Sequence, residues 1–234
     1  MAVIVISGTG TEIGKTVVTA ALAAVARPQG RTVAVLKPAQ TGLAPGEPGD
    51  ADEVVRLAGD GVTGVELARF PEPLAPATAA RRAGLPPVRP HDVATAAAKL
   101  ATEYDLVLVE GAGGLLVRFD DEGATLADAA RLLDAPVLVV TPAALGTLNS
   151  TALTAEALRA RGIEMLGVVI GSWPSAPGLA ERCNVIDLPE AAAGAPLLGA
   201  VPEGAGALAP AEFRTRATTW LAPPLGGTWQ PEHP

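Results

Sequence analysis

The chain has 234 residues, a formal net charge of −8 and a pI near 4.8. Such an acidic protein is not expected to bind nucleic acid or an anionic membrane, because both partners select a basic face. Hydrophobic residues make up 49% of the chain but aromatic residues only 3%, so Ala, Val, Leu and Ile must form the core. That composition favours closely packed α/β layers and small-molecule chemistry.

The N-terminal segment MAVIVISG lacks a basic region, and its apolar run is too short for a signal peptide. No apolar stretch is long enough to span a bilayer, so we expect a cytoplasmic protein without a membrane partner. The single cysteine, Cys183, cannot form an internal disulfide and lacks the partner cysteines that a zinc or iron–sulfur site needs. We interpret it as an ordinary thiol.

Six apolar runs rich in β-branched residues are predicted to be strands, at 2–7, 32–37, 105–110, 136–141, 165–171 and 197–201. They do not alternate polar with apolar residues, which is typical of parallel strands buried on both faces. Helical stretches are predicted between them, at 14–27, 50–58, 90–103, 124–133, 146–161 and 209–220. This alternation predicts an α/β fold over residues 1–220, a single doubly wound domain with a mostly parallel sheet flanked by helices.

Three kinds of segment fall outside these elements. Pro- and Gly-rich pieces at 43–49 and 71–87 are predicted to be surface loops, and residues 221–234 a poorly ordered C-terminal tail. The stretch from 174 to 196 has no assignment. In doubly wound sheets, ligands bind beyond the carboxyl ends of the strands, so the residues that follow each strand are the candidates for chemistry.

The first strand leads into SGTGTEIGKT, residues 7–16, and then into a segment of helical composition. The usual phosphate-binding loop has Gly, four residues, then Gly-Lys-Ser/Thr, but Thr9 stands where that first glycine belongs. Gly8 and Gly10 flank it. Backbone N–H groups of a glycine-rich turn at a helix N-terminus form an anion site, so strand, loop and helix together predict a P-loop NTPase-like fold.

Lys15 is then expected to reach the terminal phosphates, and the Thr16 hydroxyl to reach Mg²⁺. Only three of the 17 basic residues are lysines, which makes a lysine in a motif position informative. Lys37 ends the second predicted strand, in LKPAQTG, and brings a compact cation to the same end of the sheet. Pairing of Lys37 with a nearby carboxylate for structural reasons alone is the alternative.

Two acidic positions are candidates for a Mg²⁺ shell. Glu110 ends the strand DLVLVE and precedes GAGG, where three glycines let a ligand approach the backbone. A second carboxylate is expected from residues 50–53, at the start of a short helix. Asp50 is equally well explained as a helix N-cap.

Taken together, GTGTEIGKT, KPAQTG, VEGAGG and LGTLNSTALT resemble the dethiobiotin synthetase family in order and spacing, over about residues 2–203. The resemblance implies an ATP-dependent ligase of biotin biosynthesis that works as a homodimer with Mg²⁺. It implies that one amine of 7,8-diaminopelargonate reacts with CO₂ to form a carbamate, with CO₂ or bicarbonate as the source. The γ-phosphoryl group of the nucleoside triphosphate then activates this carbamate, and the second amine closes a ureido ring.

The family's site residues carry over position by position. Thr16, Asp50 and Glu110 match metal ligands, with Asp52 open as the alternative to Asp50. Lys37, Lys15, Thr11 and Glu12 match catalytic positions, and the substrate is expected at Thr11, Lys37, Thr41, Gly113, Leu145, Gly146 and Asn149, some of them reaching across the dimer. The nucleotide is expected at Gly8, Thr9, Gly10, Thr11, Glu12, Ile13, Gly14, Lys15, Thr16, Val17, Asp50, Glu110, Gly111, Ala112, Gly113, Gly171, Ser172, Val201, Pro202 and Glu203.

The family also explains the irregular loop, because its members commonly have five residues between the first glycine and Gly-Lys-Thr; Gly8 then opens the loop. One departure stands out. Many members have an Asn-Asp pair that binds adenine where this chain has Gly171-Ser172-Trp173-Pro174. Without that amide, we predict a relaxed or altered preference among nucleoside triphosphates, with backbone and Trp173 contacts in its place.

Two other kinds of protein use a similar ATP-binding loop. A partitioning-type regulatory ATPase needs a second lysine early in the phosphate loop, where this chain has Gly10-Thr11-Glu12. A glutamine-dependent synthetase needs an attached glutaminase with a nucleophilic Cys and a His, for which a chain with one Cys and two His leaves no room.

Overall fold

A computed structural model describes residues 2–231 of the protein. Its centre is one sheet of seven parallel strands in the spatial order β3-β2-β4-β1-β5-β6-β7. The strands are β1 (Ala2–Gly8), β2 (Val33–Thr41), β3 (Val62–Phe70), β4 (Leu106–Glu110), β5 (Val137–Thr141), β6 (Met165–Trp173) and β7 (Leu197–Pro202). The predicted doubly wound α/β architecture is confirmed.

Eight helices cover the sheet: α1 (Lys15–Ala26), α2 (Asp50–Ala58), α3 (Pro76–Ala83), α4 (Pro90–Leu100), α5 (Leu126–Leu133), α6 (Thr147–Arg159), α7 (Leu179–Ala191) and α8 (Pro210–Ala217). Helices α1, α2 and α8 share one core cluster with the sheet, and α4 and α5 share another. The buried alanines of α1 let this helix approach the sheet closely, and the buried strands supply Val, Leu and Ile. No helix within residues 2–231 is long and apolar enough to cross a membrane.

Three elements are present that the sequence did not predict. The edge strand β3 carries Gly64, Glu66 and Arg69 and is largely half-buried or exposed, so it lacks the continuous apolar run of a buried strand. Helix α3 begins at Pro76 inside a segment that was predicted to be a loop, and Pro at the first helical position is compatible with a helix. Helix α7 lies in the unassigned stretch and contains Pro189 near its end.

Strand β2 continues four residues beyond Lys37, where the sequence predicted it to end. Its partner β3 stays paired with it up to Thr41 and Phe70, whereas pairing with β4 stops at Leu36 and Val109. Beyond Leu36, therefore, one edge of β2 has no neighbouring strand. Lys37 stands at this opening, at the carboxyl end of β4.

The segment 221–231 is folded against the sheet, so the predicted poorly ordered tail is wrong for these residues; residues 232–234 lie outside the described residues. The N–H of Ala222 donates to Leu198 O at 2.8 Å, and that of Ala200 to Trp220 O at 3.0 Å. Leu221 is buried, and Trp229 packs on the core. The outer edge of β7 has no neighbouring strand. The segment instead forms hydrogen bonds with the backbone groups of that edge. Local Pro and Gly content does not reveal that long-range pairing.

Candidate active site

The phosphate loop connects β1 to α1 at the carboxyl end of the sheet. Its backbone has left-handed conformations at Glu12 (φ 55°) and Gly14 (φ 91°), and Gly14 is the N-cap of α1. A Cβ at Gly8 would lie 2.8 Å from Ile13 Cδ1 and 3.1 Å from Lys15 Cδ. The close approach favours glycine at position 8, whereas the Thr9 hydroxyl lies 3.1 Å from that of Thr141. This explains why the loop departs from the strict pattern by one position.

Two lysines and two carboxylates converge beside this loop. Lys37 Nζ donates to Glu110 Oε1 at 3.0 Å and forms an ion pair with Asp50. The Thr16 hydroxyl donates to Glu110 Oε1 at 2.9 Å, and Lys15 Nζ donates to Gly10 O at 2.7 Å. The three side chains that the sequence placed at one end of the sheet, at positions 15, 37 and 110, are therefore together.

Burial shapes the charge states of the two lysines. Lys15 is 7% exposed, and desolvation, followed by repulsion from Lys37, lowers its pKa to about 8. Lys37 is 3% exposed, and burial alone would lower its pKa, but the charges of Glu110 and Asp50 more than offset this and raise the pKa above its ordinary value. Lys37 is therefore a fixed cation, whereas the charge of Lys15 is the more easily lost.

Asp50 and Asp52, the two alternatives left by the sequence, have different surroundings. The N-cap of α2 is Gly49, and Asp52 Oδ2 accepts a hydrogen bond from its N–H at 2.8 Å. Asp52 is thus the capping carboxylate. Asp50 is the first helical residue, and its carboxylate reaches Lys37 instead. The geometry favours Asp50 over Asp52 at the cluster.

The cluster lies in a cavity of about 810 Å³ at the carboxyl end of β1, β2 and β4. Of the predicted site residues, the cavity is lined by Thr11, Glu12, Ile13, Gly14, Lys15, Thr16, Val17, Lys37, Thr41, Asp50, Glu110, Ala112 and Gly113. A volume of this size is typical of small-molecule sites. Most residues that were predicted to contact phosphates, metal and the reacting end of the substrate therefore share one space, whereas Gly8, Thr9, Gly10 and Gly111 do not line it.

Other predicted site residues lie outside this cavity. Leu145, Gly146 and Asn149 are exposed at the start of α6, with Leu145 84% exposed. Ser172 and Glu203 lie at the ends of β6 and β7, where the Glu203 N–H donates to Trp173 O at 2.7 Å. Within one chain, these two groups are separate from the cavity that holds the charged cluster.

Gly171 occupies a tightly packed position under the phosphate loop. A Cβ there would lie 2.0 Å from Ile13 O and 2.6 Å from Val140 Cγ1, and a Cβ at Gly14 would lie 2.3 Å from Gly171 O. The loop thus crosses directly over the end of β6. No side chain, and hence no adenine-binding amide, can stand at position 171 with the loop in this position.

The residues around Glu110 suit a divalent cation. Glu110 is 1% exposed, and its Oε2 atom is buried without a hydrogen-bond partner among the described residues. Within residues 2–231, no group of three or more His, Cys, Asp or Glu side chains is arranged as a metal site. The unpartnered Glu110 oxygen fits Mg²⁺, which takes one or two carboxylates and completes its shell with water and substrate phosphates.

One polar residue of the cavity went unnoticed in the sequence. Gln40 is 5% exposed, and its Oε1 accepts a hydrogen bond from the N–H of Asp50 at 2.8 Å. The only sequence signal was its position between Lys37 and Thr41 in KPAQTG. The contact itself depends on how α2 packs against β2, which no local pattern shows.

Comparison with known proteins identifies the family. The family model described as an AAA domain matches residues 2–210. The ATP-dependent dethiobiotin synthetase BioD of Streptomyces avermitilis is 74% identical over 229 residues, which are 98% of this chain and 95% of that protein. The protein of the same name from Saccharopolyspora erythraea is 70% identical, over 98% of this chain and 99% of its own length. The chain belongs to the dethiobiotin synthetase family.

Membership of the dethiobiotin synthetase family confirms the function class predicted from the sequence, an ATP-dependent ligase of biotin biosynthesis. Solved structures show the fold alone. The chain resembles MinD in the MinC:MinD complex of Aquifex aeolicus, with a TM-score of 0.57 and 15% identity over 93% of this chain and 86% of that one. It also resembles a ParA family ATPase of Chlorobium tepidum, with a TM-score of 0.57 and 15% identity over 92% and 90%. The partitioning-type alternative shares this P-loop fold but is not favoured.

Proposed function

We propose that the cavity at the carboxyl end of β1, β2 and β4 converts 7,8-diaminopelargonate, CO₂ and ATP to dethiobiotin, ADP and phosphate. The observation that carries the proposal is the convergence of Lys15, Lys37, Asp50 and Glu110 in one cavity next to a phosphate loop. A carbamate and a triphosphate are both anions, so a site that joins them needs concentrated positive charge.

In the first step, an unprotonated amine of the substrate attacks CO₂, a C–N bond forms, and a proton leaves to give the carbamate anion. The nearby ammonium groups of Lys15 and Lys37 disfavour a third positive charge and therefore favour the neutral amine. They also stabilise the carbamate once it has formed. Thr11, Glu12 and Thr41 border the same cavity and are assigned to orienting the diamine and its carbamate.

In the second step, a carbamate oxygen attacks the γ-phosphorus, the bond to the β-phosphate oxygen breaks, and ADP leaves. Backbone N–H groups from Gly8 to Val17, together with Lys15, hold the phosphates at the N-terminus of α1. Lys37 stabilises the charge that is shared between the carbamate and the transferring group. In the third step, the second amine attacks the carbamoyl carbon and loses a proton, the bond to the phosphate oxygen breaks, and phosphate leaves as the ring closes.

Thr16, Asp50 and Glu110 would hold Mg²⁺, and the unpartnered Oε2 atom of Glu110 supports this assignment. When bound, the ion would neutralise charge on the β- and γ-phosphates. All three N–H donors of Lys37 are used within the protein, by Glu110, Asp50 and Gly111 O. Lys37 must therefore give up some of these contacts before it can contact an anionic substrate.

The tail of the substrate is assigned to Gly113 and to the start of α6, with Leu145, Gly146 and Asn149. Gly146 is the N-cap of α6, so the following N–H groups suit a carboxylate. These residues are exposed and separate from the charged cluster of their own chain. We therefore propose a homodimer in which they serve the cavity of the partner subunit.

The nucleotide base is assigned to the ends of β6 and β7, at Gly171, Ser172, Val201, Pro202 and Glu203. Position 171 has no space for a side chain, and the Trp173 carbonyl already accepts a hydrogen bond from Glu203. Few groups remain to distinguish one base from another. We therefore propose a relaxed or altered base preference.

Phosphate release from Mg²⁺-ATP tests the reaction. Diaminopelargonate and bicarbonate are supplied singly and together, and phosphate and dethiobiotin are measured. We expect phosphate release only with both substrates, with one dethiobiotin formed per phosphate. Phosphate release that needs neither substrate would contradict the proposal.

A further inference from the structure

The start of α2 determines where the Asp50 carboxylate lies. Asp50 is the first residue of this helix, and its N-cap, Gly49, has no side chain that could accept a hydrogen bond from the exposed helix N–H groups. Asp52, within the helix, accepts a hydrogen bond from the Gly49 N–H at 2.8 Å. Two residues on the neighbouring strands β2 and β3 make further contacts with the same helix start.

The first is Gln40, near the end of β2. Its Oε1 accepts the hydrogen bond from the Asp50 N–H at 2.8 Å, and its Nε2 donates to Thr41 O at 3.3 Å. The bond therefore connects the strand that carries Lys37 to the helix residue whose carboxylate pairs with Lys37. Because Gln40 is almost completely buried, water cannot easily replace this acceptor.

The second is Arg69, on the edge strand β3. Its guanidinium donates to both carboxylate oxygens of Glu66, at 2.7 and 2.8 Å, and is thereby fixed in orientation. Its Nη1 donates to the carbonyl oxygens of Ala44 and Glu47, in the loop that leads into α2. A Cβ at Gly49 would lie 2.9 Å from Arg69 Nη2 and 2.9 Å from Gln40 Oε1, so both side chains enclose the N-cap.

We propose that Gln40 and Arg69 are positioning residues that fix the Asp50 carboxylate for the metal and, through it, the nucleotide phosphates. The inference rests on the proposed metal role of Asp50. Neither residue contacts the reacting atoms; both act through the start of α2. Ligand-orienting groups of this kind commonly affect metal affinity by about 10- to 100-fold.

Arg56 provides a matched control. It also pairs with a carboxylate three residues away, donating to both Glu53 oxygens, and it also donates to a backbone carbonyl, that of Gly206. It lies in the last turn of α2, away from Asp50. Arg56→Met and Arg69→Met thus both remove an arginine that joins a carboxylate to a backbone carbonyl, at 45% and 20% side-chain exposure, respectively.

The experiment titrates Mn²⁺ into the protein bound to β,γ-methylene-ATP and measures the metal Kd by electron paramagnetic resonance. We expect Gln40→Met and Arg69→Met to raise this Kd by about tenfold, and Arg56→Met to leave it unchanged. Affinity for the nucleotide without metal should change little in all three. In turnover assays, Gln40→Met and Arg69→Met should need more Mg²⁺ yet recover most of kcat when Mg²⁺ is saturating. Gln40→Asn retains a buried amide on a shorter side chain. This variant replaces Gln40→Met in the titration if the methionine variant is unstable.

Asp50→Asn separates this inference from the proposed function. If Asp50→Asn weakens Mn²⁺ binding but Gln40→Met and Arg69→Met do not, the positioning role is wrong while the metal site stands. An equal loss of Mn²⁺ affinity in Arg56→Met would also overturn the positioning role. If Asp50→Asn leaves Mn²⁺ binding unchanged, the proposed metal site and the positioning role both fail.

Discussion

The two halves of the carboxyl end of the sheet are built in different ways. At β1, β2 and β4, ionised side chains are buried against one another, with Lys37 between Glu110 and Asp50. At β5 and β6, the backbone of the phosphate loop is packed directly on the strand end at Gly171. The first half can recognise charge on a ligand, whereas the second half determines where the loop lies and offers few side-chain contacts.

Neutral contacts also dominate the second half away from Gly171. The Thr141 hydroxyl, at the end of β5, lies 2.6 Å from that of Thr147 and 3.1 Å from those of Thr9 and Thr151. One hydroxyl can take part in about three hydrogen bonds, so Thr141 is fully used. These contacts connect the phosphate loop to α6 without any net charge. Substitutions in the two halves should therefore affect different steps.

The largest effect is expected in the charged half. Lys37→Ala should lower kcat by about 100-fold or more, because a preorganised charge at the transferring group is lost. Nucleotide binding should largely survive, since the loop backbone and Lys15 provide most of it. Steady-state turnover and nucleotide titration separate the two effects.

Two further lysine variants sharpen this test. Lys15→Ala should weaken nucleotide binding and turnover together, because Lys15 belongs to the loop itself. Lys99 is exposed in α4 and is absent from the cavity, so Lys99→Ala should change neither quantity. A Lys37→Ala enzyme with weakened binding but normal turnover of bound substrate would contradict the catalytic role of Lys37.

A smaller but still clear effect is expected in the packed half. Gly171→Ala adds a Cβ 2.0 Å from Ile13 O, so the phosphate loop must move. Displacements of this kind typically cost about 1 to 3 kcal/mol, which corresponds to a nucleotide Kd raised by about tenfold. Calorimetric titration with a non-hydrolysable nucleotide measures it. Ser175→Ala, at an exposed position outside the assigned nucleotide site, is the control, and equal Kd values for both variants would contradict the packing argument.

The same contrast explains what the sequence could predict. The strands β1, β2, β4, β5, β6 and β7 were found because buried parallel strands have continuous apolar runs, and Lys15, Lys37 and Glu110 because few residue types suit their chemistry. The edge strand β3 was missed because half of it faces solvent. The contact of Gln40 with Asp50, the packing at Gly171 and the folded segment 221–231 were missed because they arise from long-range contacts.

A modest effect is expected for the choice of nucleotide. Position 171 has no side chain, and one hydrogen-bonding amide usually contributes about 1 kcal/mol to binding. The KM values for ATP, GTP and CTP should therefore lie within about tenfold of each other, or the lowest KM should belong to GTP or CTP. Turnover with each nucleotide alone and in competition measures this preference. A strong preference for ATP over both others would show that backbone groups at β6 and β7 read adenine after all.

The smallest effect on catalysis is expected at the free edge of β7, remote from the charged half. Trp229→Ala removes a half-buried ring that packs on the core. The backbone N–H of residue 229 donates to Leu221 O at 2.9 Å, and this hydrogen bond can remain in the variant. Because the ring is only half-buried, the free energy of unfolding should fall by about 1 to 2 kcal/mol, less than for a fully buried aromatic residue. Chemical denaturation measures this loss, and KM and kcat should stay unchanged.

Leu132→Ala, at an exposed position of α5, is the control for truncating a large apolar side chain. If Trp229→Ala were as stable as Leu132→Ala, the packing of residues 221–231 on the core would contribute nothing to stability, and the predicted poorly ordered tail would be the better description.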